Sequence, residues 1–242
     1  MKALLINASP RGARSNTLLL AQAFLRGMDC EQETISLADC RITPCTGCMT
    51  CWMRGDGKCV LSDDMDALLE KLLAADVVIE SFPLYYFGMP TILKAFTDRT
   101  FCLMQPYRGQ TTGCSFQMPR DERLLGKKLV LISTCGYAEA GEIYDALLHQ
   151  YDLLCHGRNY TPIFCPEGEL MQLEQLALPR KRLLSRLEEA GARFRSEGSL
   201  PEAVLQELQK PLVDPRVYQI IAAAHWSGAK GEHPLEKEHE HC

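Results

Sequence analysis

Short, wholly apolar runs alternate with longer stretches in which apolar residues recur at helical spacing, and this alternation repeats five times along the chain. Residues 2–7 read as a first strand, and residues 15–28 as a helix, with Leu18, Leu19, Gln22, Ala23 and Leu25 roughly at helical spacing. A weak alternation over 33–37 gives a second strand. Residues 64–75 are a helix with Met65, Leu68, Leu69 and Leu72 on one face, and residues 76–82 a β-branched, buried strand. A helix over 91–104 opens just after Pro90. A strand over 127–133, a helix over 141–151, a strand over 159–164 and a helix over 178–195 follow. Two segments break the rhythm. Residues 39–61 form an excursion rich in Cys and Gly, and residues 105–126 carry Pro, Gly, Thr and aromatics without a period, which predicts a long loop.

Strands alternating with helices predict an α/β fold, a parallel sheet covered on both faces. Right-handed crossovers leave few topologies, and for five strands the order 2-1-3-4-5 is the natural one. The expectation is a three-layer α/β/α sandwich over 1–197. Ligands then sit beyond the carboxyl ends of the strands, at loops 9–17, 83–89 and 134–141. Residues 198–227 predict a helical extension: Ser199 and Pro201 start one short helix, Asp214 and Pro215 another. A five-stranded core does not need them, so they either pack on their own domain or, the favoured reading, reach a partner subunit in a homodimer or homotetramer. Residues 228–242 read as a loose charged tail, where His233, His239, His241 and Cys242 are solvated.

Charge and composition narrow the function classes. The 242 residues include 26 Lys and Arg against 31 Asp and Glu, a formal net charge of −5. No basic face is evident, which argues against nucleic acid. No stretch reaches the roughly 20 apolar residues that span a bilayer, and the apolar run after Lys2 is too short for a signal peptide, so a cytoplasmic protein is expected. Twelve cysteines in a reducing compartment point to metal, cluster or redox roles beside ordinary buried thiols, rather than to a disulfide framework.

The candidate chemistry begins at Asn7-Ala8-Ser9-Pro10-Arg11-Gly12-Ala13-Arg14-Ser15-Asn16-Thr17, between a strand and a helix start. Such a loop aims backbone amides and hydroxyls at one point, where the helix N-terminus adds partial positive charge. It has neither the Gly-x-Gly-x-x-Gly spacing of a dinucleotide site nor the Gly-Lys-Ser/Thr ending of a triphosphate loop. A phosphate held mostly by neutral donors, with Arg11 and Arg14 nearby, suits flavin mononucleotide; the bland alternative is a capped turn. Pro83-Leu84-Tyr85-Tyr86-Phe87-Gly88 offers a turn with free amides and flat apolar surface, and Ser133-Thr134-Cys135-Gly136-Tyr137 is small and polar after a strand. Core packing is the alternative for the three aromatics, and a plain buried thiol for Cys135.

With Leu93-Lys94-Ala95-Phe96, Asp98-Arg99 and Cys45-x-x-Cys48-x-x-Cys51 followed by Cys59 and Asp63-Asp64-Met65, these loops carry a resemblance over roughly residues 1–195. The sequence resembles the flavodoxin-like NAD(P)H-dependent FMN reductases and their relatives, the iron–sulfur flavoproteins. The resemblance implies a flavodoxin-like fold and bound FMN. It further implies that Ser9, Arg11, Ser15, Asn16 and Thr17 hold the phosphate. Pro83, Leu84, Tyr85, Tyr86, Phe87 and Gly88 would lie along the isoalloxazine ring, with Thr134, Cys135, Gly136 and Tyr137 closing its other side.

Cys45, Cys48, Cys51 and Cys59 have the spacing to wrap a cubane, the fourth arriving from a turn on Gly55 and Gly57. Three readings stand: a four-iron cluster, unliganded thiols as in many plain FMN reductases of the resembled family, and zinc or a disulfide. Asp63 and Asp64 read as caps of the following helix, with a catalytic pair as the lesser reading. Loop 105–120, with Tyr107, Phe116 and Met118, is expected to cover the flavin and shape the acceptor pocket. The expected activity passes electrons from NAD(P)H through FMN to a quinone, nitroaromatic or flavin, or to a cluster, and no side chain need act as acid or base. An electron carrier or redox sensor that binds flavin without NAD(P)H turnover is the competing class.

Overall fold

A computed structural model describes residues 1–111, 114–155, 157 and 159–228, and the side chains of 107–117 and 226–228 are outside that description. His156 and the tail histidines with Cys242 therefore lie outside the described residues. The elements in chain order are β1 (Lys2–Asn7), α1 (Asn16–Met28), β2 (Glu31–Ser36), α2 (Thr50–Arg54), α3 (Met65–Ala74), β3 (Val77–Pro83), α4 (Thr91–Arg99), β4 (Met104–Thr111), β5 (Cys114–Pro119), β6 (Lys128–Thr134), α5 (Asp145–Leu154), β7 (Thr161–Cys165), α6 (Ala177–Glu197), α7 (Glu202–Leu208) and α8 (Pro215–Gly228). The sheet has five strands in the order β2-β1-β3-β6-β7, all parallel. Counting only these core strands, this is the expected 2-1-3-4-5.

Alternation along each strand divides the core into two apolar layers. Leu4, Ile6, Val78, Phe82 and Leu131 face Leu68, Leu69, Leu93, Phe96, Tyr144 and Leu147 from α3, α4 and the α5 region. Ala3, Leu5, Ile79, Val130, Ile132 and Ile163 face α1, α6 and α7. Helices α1 and α6 meet almost backbone to backbone. A Cβ on Gly27 would stand 1.8 Å from the Glu188 carbonyl oxygen, and one on Gly191 1.9 Å from that of Phe24. No side chain fits either place.

Two expectations are corrected. Residues 105–126 are not a loop throughout: β4 and β5 pair as an antiparallel hairpin, closed at its base by Arg120 N–H donating to Leu103 O at 2.7 Å. Its Gly, Pro and Thr content and its lack of a hydrophobic period masked the hairpin in the sequence. The extension does not leave the domain at α7 either. Leu205 and Leu208 are buried in the α1–α6 layer, and α8 follows with Tyr218 buried and Val217 and Ile220 exposed.

Candidate functional site

Each core strand ends at the same edge of the sheet, and the segments that follow all five strands gather there. After β1, Asn7 braces the first turn. Its Nδ2 donates to Gly12 O at 2.9 Å, and its Oδ1 accepts from Ser9 N–H at 3.2 Å. Ser9 is buried, and its Oγ accepts from Arg11 N–H at 3.3 Å. Ser15 caps α1 by accepting from Leu18 N–H at 3.1 Å. The amides of Asn16 and Thr17, in the first turn, have no intrahelical acceptor and carry the positive end of the helix dipole. Arg11 and Arg14 are exposed.

The side chains of Asn16 and Thr17 point elsewhere. Asn16 Nδ2 donates to Gly168 O at 2.7 Å, and its Oδ1 accepts from Gln172 Nε2. The hydroxyls of Thr17 and Thr134 share a hydrogen bond of 2.6 Å. At these two positions the side chains bolt the loop after β1 to the ends of β6 and β7, and the first-turn amides remain without an intrahelical acceptor.

The loop after β3 is a closed four-residue turn. Tyr85 and Gly88 exchange both backbone bonds at 3.0 Å, and Leu84 N–H donates to Thr134 O at 2.8 Å. Tyr86 and Phe87, its central residues, have φ of 49° and 62°. Two aromatic residues in the left-handed region at once is costly backbone. Tyr86 is fully exposed, and Tyr85 and Phe87 about half so. Phe87 lies 6.2 Å from Tyr137, ring centre to ring centre, joining the second loop to the third. In the third loop Thr134 and Cys135 are buried, while Gly136 and Tyr137 are exposed. Burial pushes the Cys135 thiol up, so it is a neutral wall rather than a thiolate.

A fourth segment, after β7, escaped the sequence reading. Gly168 N–H donates to Cys135 O at 2.9 Å and Glu167 N–H to Tyr137 O at 3.0 Å. A Cβ on Gly168 would stand 2.6 Å from Thr134 Cβ. Glu167 is buried, and its Oε2 accepts from Leu212 and Val213 N–H at 2.7 and 3.0 Å. Tyr218 O–H donates to Glu169. The extension thus braces this rim. The available signal was Glu167-Gly168 immediately after a strand, where a glycine marks close backbone approach.

The cysteine excursion leaves the carboxyl end of β2. Cys45, Cys48, Cys51 and Cys59 line one small cavity, together with Thr46, Val60, Leu61 and Phe101. Cys45 and Cys48 are exposed, Cys51 and Cys59 half-buried. Thr50, at the start of α2, lowers the Cys48 thiol through its hydroxyl and amide; burial raises that of Cys51. Trp52 stacks on Phe101 at 4.2 Å and donates through Nε1 to Phe101 O at 3.3 Å. Among the described residues, no three His, Cys, Asp or Glu side chains are grouped as a single metal ion requires. The four thiols nevertheless line the same cavity.

The caps differ from expectation. Asp64 precedes α3 without bonding its first amides; its Oδ2 accepts from Arg41 N–H at 2.7 Å instead. Asp63 accepts from Met65 N–H at 3.1 Å, and its chief partner is Arg99, at 2.6 Å in a fully buried ion pair. Burial opposes ionisation of Asp63, yet Arg99 and the amides of Thr43 and Met65 outweigh it and hold the carboxyl well below its usual range.

A family profile described as flavodoxin-like fold matches residues 1–156. The chain belongs to the flavodoxin-like family. An iron–sulfur flavoprotein of Methanocaldococcus jannaschii is 39% identical over 102 residues, 41% of this chain and 52% of that protein. FMN-dependent NADH:quinone oxidoreductase 2 of Colwellia psychrerythraea is 34% identical over 71 residues, 29% of this chain and 32% of that protein. The chain spans about half the length of the iron–sulfur flavoproteins it matches. Among solved flavodoxin-like structures, an FMN-dependent NADH-azoreductase from Bacillus anthracis, in complex with FMN, superposes with a TM-score of 0.57 at 19% identity. It covers 80% of this chain and 99% of that one, a likeness of fold. No helix among the described residues is long and apolar enough to cross a membrane.

Proposed function

We propose that this flavodoxin-like protein is an FMN-dependent oxidoreductase that takes electrons from NAD(P)H and passes them to a small acceptor such as a quinone. The observation that carries this reading is the meeting of four strand-end segments at one rim: the first-turn amides of α1, the strained aromatic turn, the small polar loop and the Glu167–Gln172 segment, with Thr134 bonded to both Thr17 and Leu84 and Asn16 bonded to Gly168. The Asn16 and Thr17 amides, the Ser9 hydroxyl and Arg11 would hold the phosphate. The turn from Pro83 to Gly88 would wall one side of the ring. Thr134, Cys135, Gly136 and Tyr137 would close the other, with an uncharged thiol beneath. Bound FMN supplies hydride acceptance and release of electrons singly or in pairs, so the protein's part is to seat the ring, supply amide donors and exclude water. Names of relatives agree: one is an FMN-dependent NADH:quinone oxidoreductase.

The shared cavity of the four cysteines supports a second cofactor in the same protein. Four thiols lining one cavity are a fit donor set for a four-iron cluster, as the iron–sulfur flavoproteins it resembles suggest. Such a cluster would supply single-electron transfer to complement the flavin's capacity for two.

One experiment tests the main reading. Purified protein, reconstituted with FMN, is mixed with NADH or NADPH in a stopped-flow spectrometer. Bleaching of the flavin band within seconds, reversed by a quinone, is the expected result. Flavin uptake without bleaching makes the protein a carrier or sensor, and no flavin uptake refutes both.

A further inference from the structure

The ends of the cysteine loop converge on one side chain. Arg99, the last residue of α4, is fully buried, as is Asp63. Its Nη1 and Nη2 donate to the two Asp63 carboxylate oxygens at 2.6 and 3.0 Å, the fork geometry that only a guanidinium offers. The same two nitrogens reach Thr43 O at 2.7 Å and, in a long contact of 3.5 Å, Leu61 O. Thr43 stands two residues before Cys45, and Leu61 two residues after Cys59. Asp63 Oδ2 closes the ring by accepting from Thr43 N–H at 2.8 Å. A guanidinium has five N–H donors; four are placed. The fifth, on Nε, is buried without an acceptor among the described residues, and the Cys59 sulfur lies within electrostatic reach of the same group.

We propose that Arg99 is a positioning residue for the four-thiol cavity. Forked onto Asp63, it holds Thr43 and Leu61 at a fixed span so that all four sulfurs face one space, and it keeps an N–H in reserve for the sulfur of Cys59. Beside the Arg41–Asp64 bonds at the base of the loop and the Trp52–Phe101 stack at its middle, this fork sets the span between Thr43 and Leu61. The role toward iron rests on the cluster reading above; the role in spacing the thiols does not. Lysine cannot substitute, since an ammonium is a point donor that cannot fork onto Asp63 while reaching two carbonyls. Hydrogen bonds to ligand sulfurs also tune the potential of a cluster, so losing this donor moves it.

The test compares the full chain with Arg99→Lys and with the double variant Arg99→Met, Asp63→Asn, which leaves no lone buried charge. Each is reconstituted anaerobically with FMN, ferrous iron and sulfide, and FMN stoichiometry monitors the fold. Both variants should lose iron to a chelator about ten-fold faster than the parent or more, and Arg99→Lys should shift the cluster to a lower midpoint potential. In the iron-free proteins, iodoacetamide followed by mass spectrometry should modify Cys51 and Cys59 faster in both variants. Unchanged iron loss, potential and alkylation overturn the proposal. If the parent itself takes up no iron and sulfide, the cluster reading fails. Alkylation then decides the spacing role, faster modification upholding it and equal rates sinking it.

Discussion

The phosphate loop and the cysteine loop rise from neighbouring strands of one sheet, and they are held in opposite ways. The first is fastened by neutral hydrogen bonds spread along its length: Asn7 to Gly12, Asn16 to Gly168, Thr17 to Thr134. Its helix is sunk into the core through Leu20, Phe24 and Met28. The second is fastened at its base by a buried ion pair and the Arg41–Asp64 bonds and at its middle by one aromatic stack, with two of its cysteines exposed and two half-buried. Spread neutral bonds build a seat whose remaining amides are free to meet an anion, and no single loss collapses it. A concentrated charged clasp leaves the ligating atoms uncommitted, and the whole span depends on two side chains.

Breaking the clasp should therefore have the largest effect. Asp63→Asn leaves the Arg99 charge buried without its partner and should cost about 3–5 kcal/mol of stability, read by urea denaturation. A loss under about 1 kcal/mol would show that the guanidinium finds water instead, and the contrast between the loops would weaken.

A control lies in the same sheet, on the far side of β1 from β2. Glu80 in β3 is buried and accepts from Tyr151 O–H at 2.5 Å. Burial raises its carboxyl to about 7, the Tyr151 bond opposing. The folded protein then binds a proton that the unfolded chain has released, so stability falls as pH rises from about 4.5 to about 7, by roughly 3 kcal/mol in all. Glu80→Gln should flatten this fall in melting temperature between pH 5 and 8 while leaving FMN uptake unchanged. A retained slope would assign it to another group.

The phosphate loop should yield less to any one change. Arg11→Ala should weaken FMN binding by about 1–3 kcal/mol if the guanidinium makes a charge-assisted contact, measured by fluorescence titration of apoprotein. An unaltered affinity would leave the seat to backbone donors alone. Smallest is Phe87→Gly. It relieves one left-handed position and should stabilise the fold by about 1 kcal/mol while weakening flavin binding through the lost aromatic wall. Raised melting temperature without weaker binding would remove Phe87 from the site.

Much of this was legible in the residues. β1, β3 and β6 are continuous apolar runs because both of their faces are covered, and such runs survive any uncertainty about helix ends. The phosphate loop was legible because its chemistry is local: a cap, a turn and a helix start within eleven residues. The hairpin β4–β5 was not, because Gly, Pro and Thr break any hydrophobic period along it. Nor was the Glu167–Gln172 rim, whose contacts run to Thr134, Cys135 and the chain near Leu212. Arg99 did leave a trace. It shares with Leu93 and Phe96 the buried face of α4, and a charge on an apolar stripe implies a buried partner.

By itself, then, the sequence determined the order of elements, the strand sequence in the sheet and which loops would meet at its carboxyl edge, since periodicity, caps and crossover handedness act over a few residues at a time. Only the tertiary structure decided which face each loop residue would turn to that edge. It spent the Asn16 and Thr17 side chains on neighbouring strands and left their amides without an intrahelical acceptor. It also brought Asp63 and Arg99, 36 residues apart, into one buried pair. Partners far apart in the chain are chosen by packing, and nothing local to either residue encodes the other.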